Sequence, residues 1–253
     1  MCIRDRFIDV DTDRVIAGSL YLENSEIDNI DLRLEYYFGF NQFFTAGIFS
    51  KEILNPIEET VNESGDLIIT SYQNVPLAEI NGFEIEYEQV FEAIMDSPND
   101  LLVKFNYTET ESEVIVNPGD TYINSIGTVV DAQNLLANGR DTRLQGQSDT
   151  IANFQIGLDN LQNQTQATLI VNYVSDRVRA RGIDVLPDII EEPPLLVDFA
   201  FSKIYSYPEF ELKLSLELRN LLDEEYYASM RNIAIYDQYD LGTSASLGFK
   251  ISF

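Results

Sequence analysis

The sequence predicts an all-β fold, an antiparallel up-and-down transmembrane β-barrel fragment of about nine or ten strands. Three observations carry that expectation. Apolar and polar residues alternate with a period of two in nine separate stretches, and successive side chains of a strand point to opposite faces. The connections between those stretches run short, long, short, long along the chain, as they do where tight turns lie on one side of a membrane and long loops on the other. The last stretch reaches the final residue and stops on an aromatic, Phe253.

Composition narrows the function. With Lys+Arg 16 and Asp+Glu 43 in 253 residues, the net charge is −27. That balance excludes nucleic acid as a partner, because phosphates need a basic face. No apolar run approaches the roughly 18 residues of a spanning helix. Strands escape that criterion, since only alternate residues need be apolar. Cys2 is the single cysteine and histidine is absent, which leaves no disulfide framework, no His-based triad and no His metal site. No catalytic residue, metal ligand or cofactor is expected, and the chain is not expected to be an enzyme.

Met1 to Arg6 is short and charged, with no apolar core after it, so residues 1–6 are read as a non-native leader rather than a signal peptide. Residues 7–27 are polar and acidic and are expected to form an extracellular loop or the end of a preceding strand. Asp9, Asp11 and Asp13 have the spacing that opens a calcium loop, but Arg14 stands where glycine is required and Leu20 where a glutamate would close it; an acidic turn is expected there.

Residues 28–253 carry the barrel pattern. Ile30, Leu32, Leu34, Tyr36 and Phe38 share the first strand's apolar face, and Phe44, Ala46 and Ile48 the second's, across a break at Gly39 to Asn41. A long connection from about 54 to 78 leads to the third strand, where Phe83, Ile85 and Tyr87 oppose Glu84, Glu86 and Glu88. Asp96 to Asp100 turns the chain into a fourth strand with Leu101, Val103, Phe105 and Tyr107 on one face. After a long connection to about 149, the fifth strand sets Ala152, Phe154, Ile156 and Leu158 in line, and the sixth Ala167, Leu169, Val171 and Tyr173. A third long connection, to Pro193, precedes Leu195, Val197, Phe199 and Phe201. The eighth strand opposes Phe210, Leu212, Leu214, Leu216 and Leu218 to Glu211, Lys213, Ser215, Glu217 and Arg219. A last long connection, about 222 to 240, returns to the terminal strand, with Ala245, Leu247, Phe249, Ile251 and Phe253 on its apolar face. Lipid would cover that face. Glu84, Glu86, Glu88, Glu211, Lys213, Glu217 and Arg219 would face a hydrated lumen. Because nine is odd and open edges cannot persist in lipid, the chain reads as the C-terminal part of a larger barrel.

Several segments resemble known sequences. Ser244 to Phe253 looks like the C-terminal strand of Gram-negative outer-membrane barrels, which implies that Leu247, Phe249, Ile251 and Phe253 form the signal read by the barrel-assembly machinery. Asp28 to Phe38 with Phe43 to Phe49, Asn81 to Tyr87, Arg143 to Ser148, and Leu218 to Tyr226 with its Asn220-Leu221-Leu222-Asp223 are similar to segments of TonB-dependent outer-membrane receptors. The likeness covers nearly everything after about residue 14, whereas a plug domain, a TonB box, a signal sequence and Trp are missing from the sequence. The resemblance implies a barrel of about 22 strands and energised uptake of a scarce bulky solute: ferric siderophore, cobalamin, haem or oligosaccharide. It also implies contact with outer-membrane lipid and lipopolysaccharide, with an extracellular small-molecule ligand, and with the TonB complex through the N-terminal plug, in the bacterial outer membrane. Ligand-binding loop residues are not readable. The acidic connections (Glu58, Glu59, Glu63; Glu109, Glu111, Glu113; Glu191, Glu192; Asp223, Glu224, Glu225) are expected to be solvated surface, with attraction for cationic ligands or divalent ions as the sharper alternative. Two other readings fit the strands: a small complete barrel acting as passive pore or adhesin, and a secreted all-β binding module.

Overall fold

The structure, a computed structural model, describes residues 6–9, 14–64, 67–92, 98–183, 186–231 and 234–253. Residues 1–5 of the expected leader lie outside the described residues, as do Asp11 and Asp13 of the acidic turn and Asp96 and Ser97 of the later one. In chain order the strands are β1 (Arg6–Asp9), β2 (Arg14–Ala17), β3 (Glu26–Gly39), β4 (Gln42–Leu54), β5 (Ile57–Ser64), β6 (Leu67–Asn74) and β7 (Leu77–Phe91). They continue with β8 (Asn99–Ile115), β9 (Thr121–Ile123), β10 (Val129–Asp131), β11 (Thr150–Asn160), β12 (Thr165–Val174), β13 (Arg177–Gly182) and β14 (Ile189–Glu192). The last are β15 (Leu196–Ser206), β16 (Glu211–Arg219), β17 (Glu225–Met230), β18 (Ala234–Asp240) and β19 (Ser244–Ser252).

Nine of these form one sheet in the order β19-β16-β15-β12-β11-β8-β7-β4-β3, antiparallel at every step. They are the nine stretches that the alternation marks. Register keeps the apolar face continuous: Val103, Ile156, Leu169, Phe199, Leu218 and Ala245 stand opposite one another across β8, β11, β12, β15, β16 and β19. A slip of one residue would turn a strand's apolar set to the other side, so the shared pattern specifies the pairing. That face is open: Leu32 is 69% exposed, Leu34 67% and Phe249 68%. Two clusters of buried apolar side chains lie instead in and around the long connections: Val75, Ala78, Val114, Tyr122, Ala132 and Leu135, and Val61, Ala180, Ile189 and Ala228. An interior at one end and an uncovered apolar wall elsewhere is the distribution of a membrane barrel, not of a soluble sandwich. Among the described residues β3 and β19 are the sheet's two free edges.

The long connections are not loops. Where irregular chain was expected, three of them fold into a second sheet in the order β1-β2-β6-β5-β13-β14-β17-β18, which also takes up two short strands of the 7–27 segment. The strands of the wall overrun their apolar stretches, β7 starting at Leu77 and β8 continuing to Ile115. Past the apolar rows the pattern of side chains relaxes, but backbone N–H and C=O groups still require partners. The remaining long connection, between β8 and β11, pairs β9 with β10 and adds two 3₁₀ turns, Ala132–Leu135 and Ala137–Gly139. Two aromatics leave their expected strands. Phe210 belongs to the turn, where its carbonyl accepts from Tyr207 N at 2.9 Å and its ring stacks on Tyr207 at 4.7 Å. Phe253 follows the last paired residue of β19 and is fully exposed.

Candidate functional site

Two surfaces hold the residues able to meet a solute. The first is the polar face of the nine-stranded sheet. Even-numbered positions of β7 and β8 and odd-numbered ones of β3 and β4 converge there because the register alternates across the sheet. Arg33 reaches Glu35 at 2.9 Å, Glu84 at 3.4 Å and Glu86 at 3.6 Å, while Lys104 pairs with Glu88 at 2.9 Å. Glu84, Glu86 and Glu88 thus share one charged strip. Glu211, Lys213, Glu217 and Arg219 stand on the same face of β16, with four strands between it and β7 in the sheet order, and Glu217 and Arg219 pair at 3.1 Å. The two sets do not meet. A hollow of about 430 Å³, lined by Asp31, Arg33, Phe49, Lys51 and Glu84 among others, opens on this face. Two smaller hollows lie along it too. Gly82 makes room there: a Cβ would stand 2.5 Å from the Phe49 ring and 2.5 Å from the Glu109 carbonyl. On β19, Leu247, Phe249 and Ile251 take the opposite, apolar face, across from Leu216, Leu214 and Leu212.

The second surface is the sheet of connections, held by buried ion pairs that the alternation could not reveal. Glu58 and Arg181 are fully buried. The guanidinium grips both carboxylate oxygens of Glu58, Nη2 at 2.8 Å, and its remaining N–H groups donate to the carbonyls of Asp141 at 2.7 Å and Arg143 at 3.0 Å. This places Glu58 at the centre of a network rather than on the expected solvated surface, because an uncompensated buried charge would be prohibitive. Asp188, also buried, accepts from Gly182 N at 3.0 Å, Asp141 N at 2.8 Å and Arg231 Nη2 at 3.3 Å. Arg143 is clasped by Asp141 at 2.8 Å, Asp176 at 3.0 Å and Asp149 at 3.3 Å. Burial alone would push the Asp141 carboxyl up, but hydrogen bonds and charge from Arg143 outweigh it and hold the group below its ordinary range. For Glu59 burial prevails and raises the carboxyl, against Arg179 and Arg14. Tyr226 is pushed up to about 12, by burial first and then by Glu191. Beside the network, a crevice of about 550 Å³ is lined by Asp141, Arg143, Tyr173, Asp176, Glu192 and Arg231 among others.

Asn220 explains one short motif. It is buried, adopts φ 51°, and its side chain donates to the carbonyls of Glu224 at 3.0 Å and Gly242 at 3.3 Å. Its Oδ1 accepts from Glu224 N at 3.1 Å. Asparagine tolerates the left-handed region and can bond its own backbone, so it ties β16 to β17 and to the start of β19. Among the described residues no group of three or more Asp, Glu or Cys is placed to hold a metal ion.

No family model and no curated protein sequence matches this chain. In structure it is similar to the outer membrane transporter YddB from Escherichia coli, with a TM-score of 0.58 and 12% sequence identity over 93% of this chain and 34% of that one. At that identity the likeness concerns the fold: this chain has the architecture of part of an outer-membrane barrel, and it spans about a third of that transporter's length.

Proposed function

We propose that the chain forms wall and outer connections of a bacterial outer-membrane transporter of the TonB-dependent kind. It would take up a scarce bulky solute such as a ferric siderophore, cobalamin, haem or an oligosaccharide. The observation that carries this reading is the sidedness of the nine-stranded sheet. One face is apolar and exposed, the other charged and hollowed, and every long connection leaves the same end and folds there. Lipid and lipopolysaccharide would meet the first face and the solute the second. The TonB complex would act through a plug encoded upstream. Leu247, Phe249, Ile251 and Phe253 would present the assembly signal, and no step of covalent chemistry is assigned.

The test is the reading frame upstream of the codon for Phe7. A continuous frame encoding a signal peptide, a plug domain and about thirteen further alternating strands is expected. A genuine start immediately before Phe7 would sink the receptor reading.

A further inference from the structure

The second sheet is assembled from separate connections, and its joints are unusual. Within each connection the strands are ordinary antiparallel hairpins: β5 with β6, β13 with β14, β17 with β18. Between connections, β13 joins β5 in parallel through only two residue pairs, Arg181 with Thr60 and Gly182 with Val61, and β14 joins β17 through four, Ile189 to Glu192. A parallel joint of two pairs is too short to choose its own register. The buried Arg181–Glu58 pair sits on that joint, and Glu58 is two residues from Thr60 on β5. A buried ion pair adds little net stability, and its best-attested use is to fix register or state. The flanking groups agree. Gln145 N donates to Glu58 at 3.2 Å, Ile183 N donates to Val61 O at 2.9 Å, and Gly182 admits the Leu186 and Pro187 carbonyls so closely that a Cβ would stand within 2.2–2.3 Å of them.

The joint also takes a shortcut. In the wall, β8 and β11 separate β7 from β12, yet the connection from β4 to β7 pairs directly with the one from β12 to β15. If the wall curves as the transporter reading has it, the shorter path runs over its concave side. Each connection bends as it leaves the wall: at Asn55, φ 52°, and Pro56 opposite Pro76; at Ser175 and Asp176 opposite Pro193 and Pro194; and at Asn220, φ 51°, opposite Gly242, φ 66°.

From this we infer that the connections carrying β5–β6, β13–β14 and β17–β18 move as one plate, with Arg181 and Glu58 as the positioning residues that couple the first to the other two. The coupling stands on these contacts alone. Its consequence for a solute, one concerted opening over the concave face instead of independent flaps, rests on the transporter reading.

Hydrogen exchange on the intact protein in detergent micelles, followed by mass spectrometry, tests the coupling. Peptides from β5–β6 and from β13–β14 are expected to open at rates within about twofold of each other in the wild type, as one cooperative unit does. In Arg181→Met the two should separate by at least about tenfold, while wall strands β11 and β12 keep their protection. Arg181→Lys should behave like the Met variant, because an ammonium cannot grip both carboxylate oxygens and two carbonyls at once. Unequal opening in the wild type would overturn the inference whether or not the variants fold, and so would joint opening that survives Arg181→Met. Wall strands that exchange freely in micelles would count against the transporter reading instead, leaving the coupling to be judged on the plate peptides alone.

Discussion

Arg143 shows what single residues do in this fold. Its side chain is mostly covered and faces three carboxylates, and its own titration is raised by its hydrogen bonds to Asp141 and Asp176 against the effect of burial. Asp141 is the carboxylate it depresses. A depressed carboxyl contributes stability that is fully present above its unfolded pKa and is lost as pH falls through its folded value. Asp149 has the opposite sign. Burial raises it despite Arg143, so its contribution grows as pH falls and is lost as pH rises through the folded value. Arg143→Met should therefore lower the melting temperature most at neutral pH, by the equivalent of about 1.5–3 kcal/mol for a charged hydrogen-bonded group. The gap between variant and wild type should close on acidification below the ordinary carboxylate range. Parallel pH–melting curves would refute this account of the cluster.

At the scale of the strand, the outward face changes character where β3, β4, β7 and β8 leave the apolar belt. The last apolar row holds Leu32, Ile48 and Phe83; two rows on, Asp28, Glu52, Glu79 and Glu113 stand directly opposite one another. Like charges placed directly across a sheet repel. Glu79→Gln is expected to stabilise the protein by about 0.2–1 kcal/mol, more at low ionic strength than at high, in chemical unfolding from micelles. A loss of stability, or a gain indifferent to salt, would exclude the repulsion. The same contrast explains what was legible in the sequence. The wall could be read because its outward face carries an apolar residue at every second position, and its first tight turn from the break at Gly39 to Asn41. The plate could not. Its strands are short, its buried positions include Glu58, Thr60, Arg181 and Asp188, and its decisive contact joins residues 123 positions apart. Acidic residues such as Glu58 look like solvated surface until their partners are known. Asn220 and Asp223 lie in a motif noted only for its resemblance, and their constrained turn became visible in the structure.

For the whole molecule, burial is reversed relative to a soluble protein, and that predicts opposite responses on the two faces of one strand. Phe249→Lys, on the apolar face midway along β19, should cost about 2–4 kcal/mol of refolding free energy into lipid vesicles. Ser246→Lys, on the polar face, should cost close to nothing. Equal losses would contradict the assignment of faces. The order of the wall has a further effect on association. Eight antiparallel steps separate β3 from β19, so the two free edges run in the same direction. Two copies inserted the same way into one membrane could not join these edges with the alternating, perpendicular hydrogen bonds of an antiparallel ladder. Only a copy inserted upside down could, and assembly with a fixed topology does not supply one. Each edge is complementary to a strand of the opposite heading, the partner that an antiparallel wall continuing past β3 and β19 would supply.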